Sequence, residues 1–476
     1  MRKESGPFGM NELRRSLRTL LGLFSLTGWA LAQTLCIPPA PSGTPSRPLT
    51  GYSATGLEAY DRVMQRLLER YRIPGAALAV AKDGRLVLSR GYGFADVRTQ
   101  EPVQPDALFR LASLSKPITA AAVLHLGESL VFQGVYPDLN SFLSEKAFDL
   151  LKIQPYGGKL TDPRLKNITL RDLLQHSGGW HRGWAGDPMF RPTLSDVARA
   201  LHRPEHLSSR EIVGYMLSRR LQFAPGSRSA YSNLGYAVLG LVVEKLSGQP
   251  YEAYVRAMLQ PAGIYSVRAG KTRLQERLPR EVRYHDFPGA PLVKSVLDGT
   301  LVNRPYGEFY LEAHTANGGL VASAPDLVRF VVALEGLRGP PLLSREALHE
   351  MLRRPRLAQY QKTPRYYALG WGVRVPQPQP AAPPLAGAAG QGSSEPRNPA
   401  VKPPLVLSLP PEQLEWSHDG AFAGSRTLLL RLPGGVVLAA LFNSRPWNDW
   451  RFIAELRQGL ENATQAVPHW PDYDCF

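Results

Sequence analysis

Ser113 and Lys116 lie three positions apart and have the residue types of a nucleophile and its base. They open an apolar run at 117–126 that predicts a helix, and this spacing puts the hydroxyl and the amine on one helical face. An amine held beside a helix N-terminus and partly out of water is shifted toward its neutral form. A neutral lysine can accept the proton of the serine, which would make the serine a nucleophile.

Two further motifs lie downstream, Tyr231-Ser232-Asn233 and His418-Asp419-Gly420. The first follows a turn signal at 225–226 and precedes an apolar run at 234–246 that predicts a helix. The second lies just before two strand-like runs, at 427–432 and 436–442, joined by a Pro-Gly-Gly turn. The two runs predict a hairpin, so we expect the His-x-Gly segment at a sheet edge beside the site.

Each of these residues also has a structural interpretation from its local sequence. Ser113 could be a helix N-cap, and Lys116 a solvated surface lysine. Tyr231 could be a buried aromatic residue, Asn233 a cap of the next helix, and His418 a strand-end histidine. About one Ser-x-x-Lys is expected by chance in a chain of this composition, so the catalytic interpretation depends on all three motifs together.

With these motifs, the chain resembles the serine hydrolases related to class C β-lactamases and D-alanyl-D-alanine carboxypeptidases. The resemblance runs from about residue 60 to about residue 460. It rests on these phrases: FRLASLSK at 109–116, ITLRDLLQHSGG at 168–179, FAPG at 223–226, YSN at 231–233, NGGLVAS at 317–323 and YALGWG at 367–372.

The resemblance implies a role for the residues of the first two motifs. Ser113 would be the nucleophile that becomes acylated, and Lys116 its general base. Tyr231 would relay a proton to the leaving group or help to activate Ser113. Asn233 would orient the substrate amide and the lysine.

The third motif implies how the substrate would be bound. His418 would stand where many relatives have the lysine of Lys-Thr-Gly, and Gly420 would let the strand backbone approach the substrate. The main-chain N–H groups of Ser113 and Ala421 would form the oxyanion hole. Ser115 and His176 lie in the resembling phrases, and for both a structural role is favoured over a role near the site.

The departure from Lys-Thr-Gly bears on the substrate. A lysine there would help to hold the carboxylate of a β-lactam or a peptide. A histidine is only partly charged at neutral pH, and Asp419 adds a negative charge beside it. Within the family, His-x-Gly is more typical of esterases and peptidases acting on D-amino acids than of dedicated β-lactamases.

We therefore predict an exported serine hydrolase that cleaves an amide or ester through a Ser113 acyl-enzyme, and that is carboxypeptidase-like or esterase-like. The alternatives are a β-lactamase, or a penicillin-type receptor or wall-binding protein that acylates but barely turns over. We expect no cofactor and no metal. The expected partner is a small-molecule or peptide substrate, with peptidoglycan as one example.

The formal charge of +16 is compatible with an anionic envelope polymer or lipid head group, but arginine-rich composition explains it more simply. No zinc-like cluster, phosphate loop or nucleic-acid module is present in the sequence, so we expect no nucleic-acid partner.

The N-terminal residues 1–32 have the pattern of a signal peptide. Arg14, Arg15 and Arg18 precede an apolar stretch at 20–31, and Ala30-Leu31-Ala32 resembles a cleavage site. We expect a periplasmic or secreted protein, because the apolar stretch is short for a membrane anchor.

The rest of the chain predicts one α+β unit of the β-lactamase/transpeptidase type, with an antiparallel sheet flanked by helices and a mostly helical subdomain. A Pro/Ser/Thr-rich linker at 33–52 precedes a hydrolase domain at 53–462, and a tail follows at 463–476. The helical subdomain covers about 123–315, and a Pro/Ala/Gly-rich insert covers about 375–412. In the family the first and last helices pack side by side, which makes a Cys36–Cys475 disulfide geometrically feasible after export.

Overall fold

The computed structural model of the protein describes residues 47–376 and 409–476. The predicted signal peptide, most of the predicted linker and most of the predicted insert lie outside these residues. Cys36 does too, so the described residues do not test whether Cys36 and Cys475 are bridged. Within the described residues, no helix is long and apolar enough to cross a membrane.

Fourteen strands are present in the described part of the chain. They are β1 (Leu49–Ser53), β2 (Gly75–Lys82), β3 (Arg85–Asp96), β4 (Glu101–Pro102), β5 (Phe109–Arg110), β6 (Arg268–Ala269), β7 (Val293–Lys294), β8 (Leu301–Val302), β9 (Leu320–Ala322), β10 (Arg365–Tyr367), β11 (Gly372–Arg374), β12 (Glu415–Phe422), β13 (Ser425–Leu432) and β14 (Val436–Phe442). Nine of them form one antiparallel sheet in the order β1-β3-β2-β14-β13-β12-β11-β10, with β4 paired to β3.

The same ranges contain thirteen α-helices. They are α1 (Glu58–Arg70), α2 (Ser115–Phe132), α3 (Leu139–Leu143), α4 (Ala147–Leu151), α5 (Leu170–Leu174), α6 (Arg182–Ala185), α7 (Thr193–Ala200), α8 (Ser209–Met216), α9 (Asn233–Ser247), α10 (Tyr251–Leu259), α11 (Ala324–Leu334), α12 (Arg345–Leu352) and α13 (Asp449–Gln465). Helices α3 to α10 follow one another between β5 and β6.

Residues of β14 show how the sheet divides the core into two layers. Successive strand side chains point to opposite faces. Leu438 and Phe442 pack in one cluster with α1 and α13, whereas Val437 and Leu441 pack in the larger cluster that contains α2, α9 and α11. The first and last helices are therefore neighbours on one face, and the catalytic motifs lie on the other. The predicted fold class is confirmed.

Several predicted limits need correction. β1 begins at Leu49, inside the predicted linker at 33–52, because its backbone pairs with β3. The predicted start of the helical subdomain, at about residue 123, falls inside α2. This helix belongs to both parts of the fold. The strand that precedes Ser113, Phe109–Arg110, is short and belongs to a small separate sheet with β9 and β6.

The C-terminal residues 463–476 are not a detached tail. Helix α13 extends to Gln465, and the chain then returns to β3. There the Leu86 amide donates to Asp474 at 3.0 Å, and the Cys475 amide donates to the Leu86 carbonyl at 3.0 Å. The end of the chain is thus bound to β3 at Leu86, just outside residues 88–92, which pair with β1.

The His-Asp-Gly motif does not precede its strand, because it is part of β12. β12 pairs with β13 along residues 416–422, but with β11 only along residues 415–417. Among the described residues, no strand pairs with β12 on the β11 side from His418 onward, which leaves a local edge inside the sheet. The predicted edge exists there, and the predicted hairpin of β13 and β14 supports it from the other side.

Candidate active site

A short turn between β5 and α2 carries Ser113. The turn is a single 3-10 turn over Ala112–Leu114, and Ala112 has a left-handed φ of 48°. β13 holds this turn, because the Thr427 hydroxyl donates to the Leu111 carbonyl at 2.8 Å. Ser113 is half-buried and makes no helix-capping hydrogen bond. The N-cap interpretation of Ser113 is therefore wrong.

Lys116 is fully buried, and three oxygen atoms surround its Nζ. The Nζ donates to Asn233 Oδ1 at 2.8 Å and to the Asn317 carbonyl at 2.6 Å, and it lies 3.2 Å from Ser113 Oγ. Burial lowers the pKa of Lys116 well below its ordinary value; the charge of Asp187 opposes this shift and that of Arg182 adds to it. Lys116 is thus no surface lysine, and its amine is placed to exchange a proton with Ser113.

Asn233 is the first residue of α9, and its amide bridges the Lys116 amine and the Asp187 carboxylate. Its Oδ1 accepts from Lys116, and its Nδ2 donates to Asp187 Oδ2 at 2.7 Å. Ser232, not Asn233, caps the helix, since its hydroxyl accepts from the Gly235 amide at 3.2 Å. The carboxylate of Asp187 therefore decides which end of the Asn233 amide faces the lysine.

Tyr231 lies directly beside the serine and the lysine. Burial raises the pKa of its hydroxyl group, and the neighbouring Ser113 acts in the opposite direction. The Nζ of Lys116 is 4.7 Å from the centre of the Tyr231 ring, and the guanidinium carbon of Arg182 is also 4.7 Å from it. A phenol with a raised pKa keeps its proton at neutral pH and can donate it to a leaving group.

His418 is buried and lies between two hydrogen-bond partners. Its Nδ1 donates to the Asp419 carbonyl at 2.8 Å, so its Nε2 accepts from the Tyr367 hydroxyl at 3.0 Å. Burial lowers the pKa of His418, although the neighbouring Asp419 carboxylate acts in the opposite direction. The Asp419 carboxylate is itself paired with Arg426 at 2.6 Å. The histidine is therefore neutral at physiological pH.

Gly420 allows β12 to approach the serine turn. A Cβ at this position would lie 2.3 Å from the Leu111 carbonyl oxygen and 2.9 Å from the main-chain nitrogen of Ser113. The residue next to Gly420 is Ala421, so the two amides predicted to form the oxyanion hole belong to neighbouring segments. The close approach required of Gly420 is to the backbone of the nucleophile itself, and not only to a substrate.

His176 and Ser115 are part of the support of the site. His176 is buried with a φ of 61°, and its Nδ1 accepts from the Ser232 amide at 3.2 Å. Its ring lies 4.3 Å from that of Tyr231 and 4.4 Å from that of Tyr367, centre to centre. The hydroxyl of Ser115 accepts from the Leu320 amide at 3.2 Å. Both contacts agree with the structural roles favoured from the sequence.

Sequence reasoning missed four residues of the site: Asp187, Asn317, Tyr367 and Arg182. Two of them lie in the phrases at 317–323 and 367–372, so those phrases contained a usable signal. Asp187 and Arg182 lie in a segment with no recognisable motif, and only their positions in space identify them. No group of three or more His, Cys, Asp and Glu side chains in residues 47–376 and 409–476 is arranged to hold a metal ion.

Comparisons with known proteins agree with this geometry. The profile of the Beta-lactamase family matches residues 60–460. Esterase EstB of Burkholderia gladioli is 33% identical over 336 residues, which cover 66% of this chain and 77% of the esterase. Penicillin-binding protein 4* of Bacillus subtilis (strain 168) is 28% identical over 57% of this chain, which spans 54% of that relative.

Solved structures show the same fold. The D-alanine carboxypeptidase AmpC from Burkholderia cenocepacia has a TM-score of 0.56 at 21% identity, covering 86% of this chain and 99% of that one. The D-amino acid amidase from Ochrobactrum anthropi SV3 has a TM-score of 0.58 at 20% identity, with coverages of 87% and 99%. The family match over most of the chain, with a serine and a buried lysine in hydrogen-bond contact, shows that the chain belongs to the Beta-lactamase family and is a serine hydrolase.

Proposed function

We propose that the protein hydrolyses esters, and amides more slowly, through an acyl-enzyme on Ser113. The neutral, buried His418 carries this proposal, because it stands at the place where a lysine would hold a carboxylate beside β12. An ester needs no such cation to react, whereas β-lactams and wall peptides carry a carboxylate at that side. The similarity to an esterase supports the same choice.

In this mechanism neutral Lys116 accepts the proton of the Ser113 hydroxyl, and Oγ attacks the carbonyl carbon. The developing oxyanion accepts hydrogen bonds from the amides of Ser113 and Ala421. Tyr231 then donates its proton to the departing oxygen or nitrogen, and the protonated Lys116 replaces that proton. A water molecule attacks the acyl carbon in the second half, with the same groups acting in reverse.

The test compares an ester, a penicillin and a D-alanyl-D-alanine peptide on the wild-type protein and on Ser113→Ala. We expect turnover of 4-nitrophenyl esters that is lost in Ser113→Ala, and little turnover of the peptide. Intact-mass time courses with the penicillin follow acylation directly. Efficient peptide cleavage, or a persistent penicillin adduct without ester turnover, would overturn the esterase assignment in favour of a carboxypeptidase or a penicillin-type receptor.

We also propose that the protein is exported to the periplasm or secreted, and that it meets small ester or peptide substrates there. The basic, apolar and small-residue order of residues 1–32 supports this. Expression of the full chain with N-terminal sequencing of the product tests it. Cleavage after Ala32 is expected, and an intact N-terminus in the cytoplasm would contradict export.

A further inference from the structure

The segment at 181–187 passes over the active site and is anchored on both sides. The His181 amide donates to Gln222 Oε1 at 3.0 Å, and Asp187 accepts from Asn233 at the other end. Between these anchors lies α6, which contains Trp184. The side chain of Trp184 is largely in solvent, since the residue is 62% exposed. The ring of Trp184 stacks on that of His181 at 4.2 Å between centres. The segment is thus a fixed border of the site.

Two guanidinium groups on this border lack an anionic partner among the described residues. Arg182 lies over the ring of Tyr231, and Arg228 lies over Trp184 with its guanidinium carbon 5.1 Å from the ring centre. Both residues are exposed, and neither side chain makes a hydrogen bond or an ion pair with any residue in 47–376 or 409–476. A cation on an aromatic face keeps its N–H groups available for a further acceptor.

The carboxylates of the same site already have partners. Asp187 accepts from the Asn233 amide and from the Met189 amide, at 2.7 and 3.1 Å. Asp419 is paired with Arg426. Neither carboxylate forms an ion pair with Arg182 or Arg228, so both guanidinium groups keep N–H groups for a further acceptor, while β12 carries the neutral His418.

We propose that Arg182 is a specificity-determining residue that binds a carboxylate of the substrate, with Arg228 assisting at the outer side of Trp184. The site has its accessible cation on the Tyr231 side rather than on β12. Preferred substrates are then esters or amides with an anionic group directed toward the 181–187 segment. This inference rests on the proposed Ser113 acyl-transfer function and names the substrate class for it.

The experiment uses two matched substrates, 4-nitrophenyl hexanoate and the 4-nitrophenyl monoester of adipic acid, which differ by a terminal carboxylate. The readout is the ratio of kcat/KM for the anionic ester to that for the neutral ester. A ratio is needed because loss of Arg182 also changes the electrostatics of Lys116 and Tyr231, and this change affects both esters alike. We expect Arg182→Gln to lower the ratio about tenfold and Arg228→Gln to lower it less.

Arg66→Gln is the matched control, since Arg66 is an exposed arginine of α1 on the opposite face of the sheet. It removes the same charge and should leave the ratio unchanged. Raising the salt concentration should lower the ratio in the wild-type protein and change it little in Arg182→Gln. An equal loss for both esters in Arg182→Gln, or an equal fall of the ratio in Arg66→Gln, would overturn the proposal.

A second measurement separates this inference from the proposed function. Phenylboronic acid and 3-carboxyphenylboronic acid add to a reactive serine without turnover, and their binding can be titrated by tryptophan fluorescence. A preference for the carboxylated boronate that Arg182→Gln abolishes supports the inference even if no ester is hydrolysed. Boronate binding without such a preference contradicts the inference, and equal binding by wild-type protein and Ser113→Ala contradicts the Ser113 function.

Discussion

The main-chain nitrogen of Ser113 lies only 2.9 Å from the point that a Cβ on Gly420 would occupy. Strand β12 and the serine turn are therefore in contact backbone to backbone, and the position excludes any side chain. We expect Gly420→Ala to destabilise the protein by about 2 kcal/mol and to lower kcat strongly, because the turn must shift.

Gly372→Ala is the matched control for that substitution. It also lies in a strand at this side of the sheet, but its Cβ would meet only the Ser417 carbonyl oxygen, at 3.4 Å. Urea unfolding and ester hydrolysis should both stay near wild-type values. An equal effect of the two substitutions would contradict the close-approach argument.

The contact between Lys116 and Ser113 predicts that neither residue works alone. We expect Ser113→Ala and Lys116→Met each to lower kcat/KM about 10³-fold, and the double variant to lose little more, because the two groups act as a unit. Thermal unfolding of each variant verifies that the fold is retained. Additive losses in the double variant would show that Lys116 acts elsewhere.

The lowered pKa of Lys116 sets the direction of the pH dependence. Only the neutral amine accepts a proton, so the acylation rate should rise with pH and level off above the lowered pKa. Single-turnover acylation by a 4-nitrophenyl ester should thus reach a plateau well below the ordinary lysine range. A rate that keeps rising about tenfold per pH unit up to about pH 10 would show an unperturbed lysine.

Asp187 is predicted to be a positioning residue. We expect Asp187→Ala to lower kcat/KM about tenfold, because the Asn233 amide loses the acceptor that fixes its orientation. The carboxylate also raises the pKa of Lys116, so its removal should move the acidic limb of the rate profile to lower pH. Asp196→Ala, on the exposed surface of α7, should change neither quantity. A limb that does not move would show that Asp187 is merely structural.

Acid stability should depend on His314, which burial keeps neutral by lowering its pKa to about 4. The unfolded chain binds a proton near the ordinary pKa of 6.5 and the folded chain does not, so stability falls as the pH drops from about 6.5 to about 4. The full loss from this residue is about 3 kcal/mol. His314→Gln should flatten the pH dependence of urea unfolding, whereas the exposed His349→Gln should not. Equal slopes in all three proteins would contradict a neutral His314.

Helices and strands whose formation depends on residues close together in the chain could be predicted from the sequence. The apolar runs of β13, β14 and α9 predicted the type and approximate ends of these elements, because the length and periodicity of an apolar run indicate how the element is buried. Likewise, Ser113 and Lys116 meet because they lie one helical turn apart, and that relationship is local.

The surroundings of the lysine depend instead on contacts between distant segments. Asn233 and Asn317 lie more than a hundred residues away along the chain, and they reach Nζ because α9 and the segment before β9 pack against α2. The charge of His418 was equally undecided from sequence, since the pKa of a histidine depends on its burial and on its partners. Arg182, unpaired among the described residues, belongs to the same class. The proposed role of Arg182 depends on its position over the Tyr231 ring and on the other partners that the nearby carboxylates have. Neither relationship can be predicted from the residues next to Arg182 in the sequence.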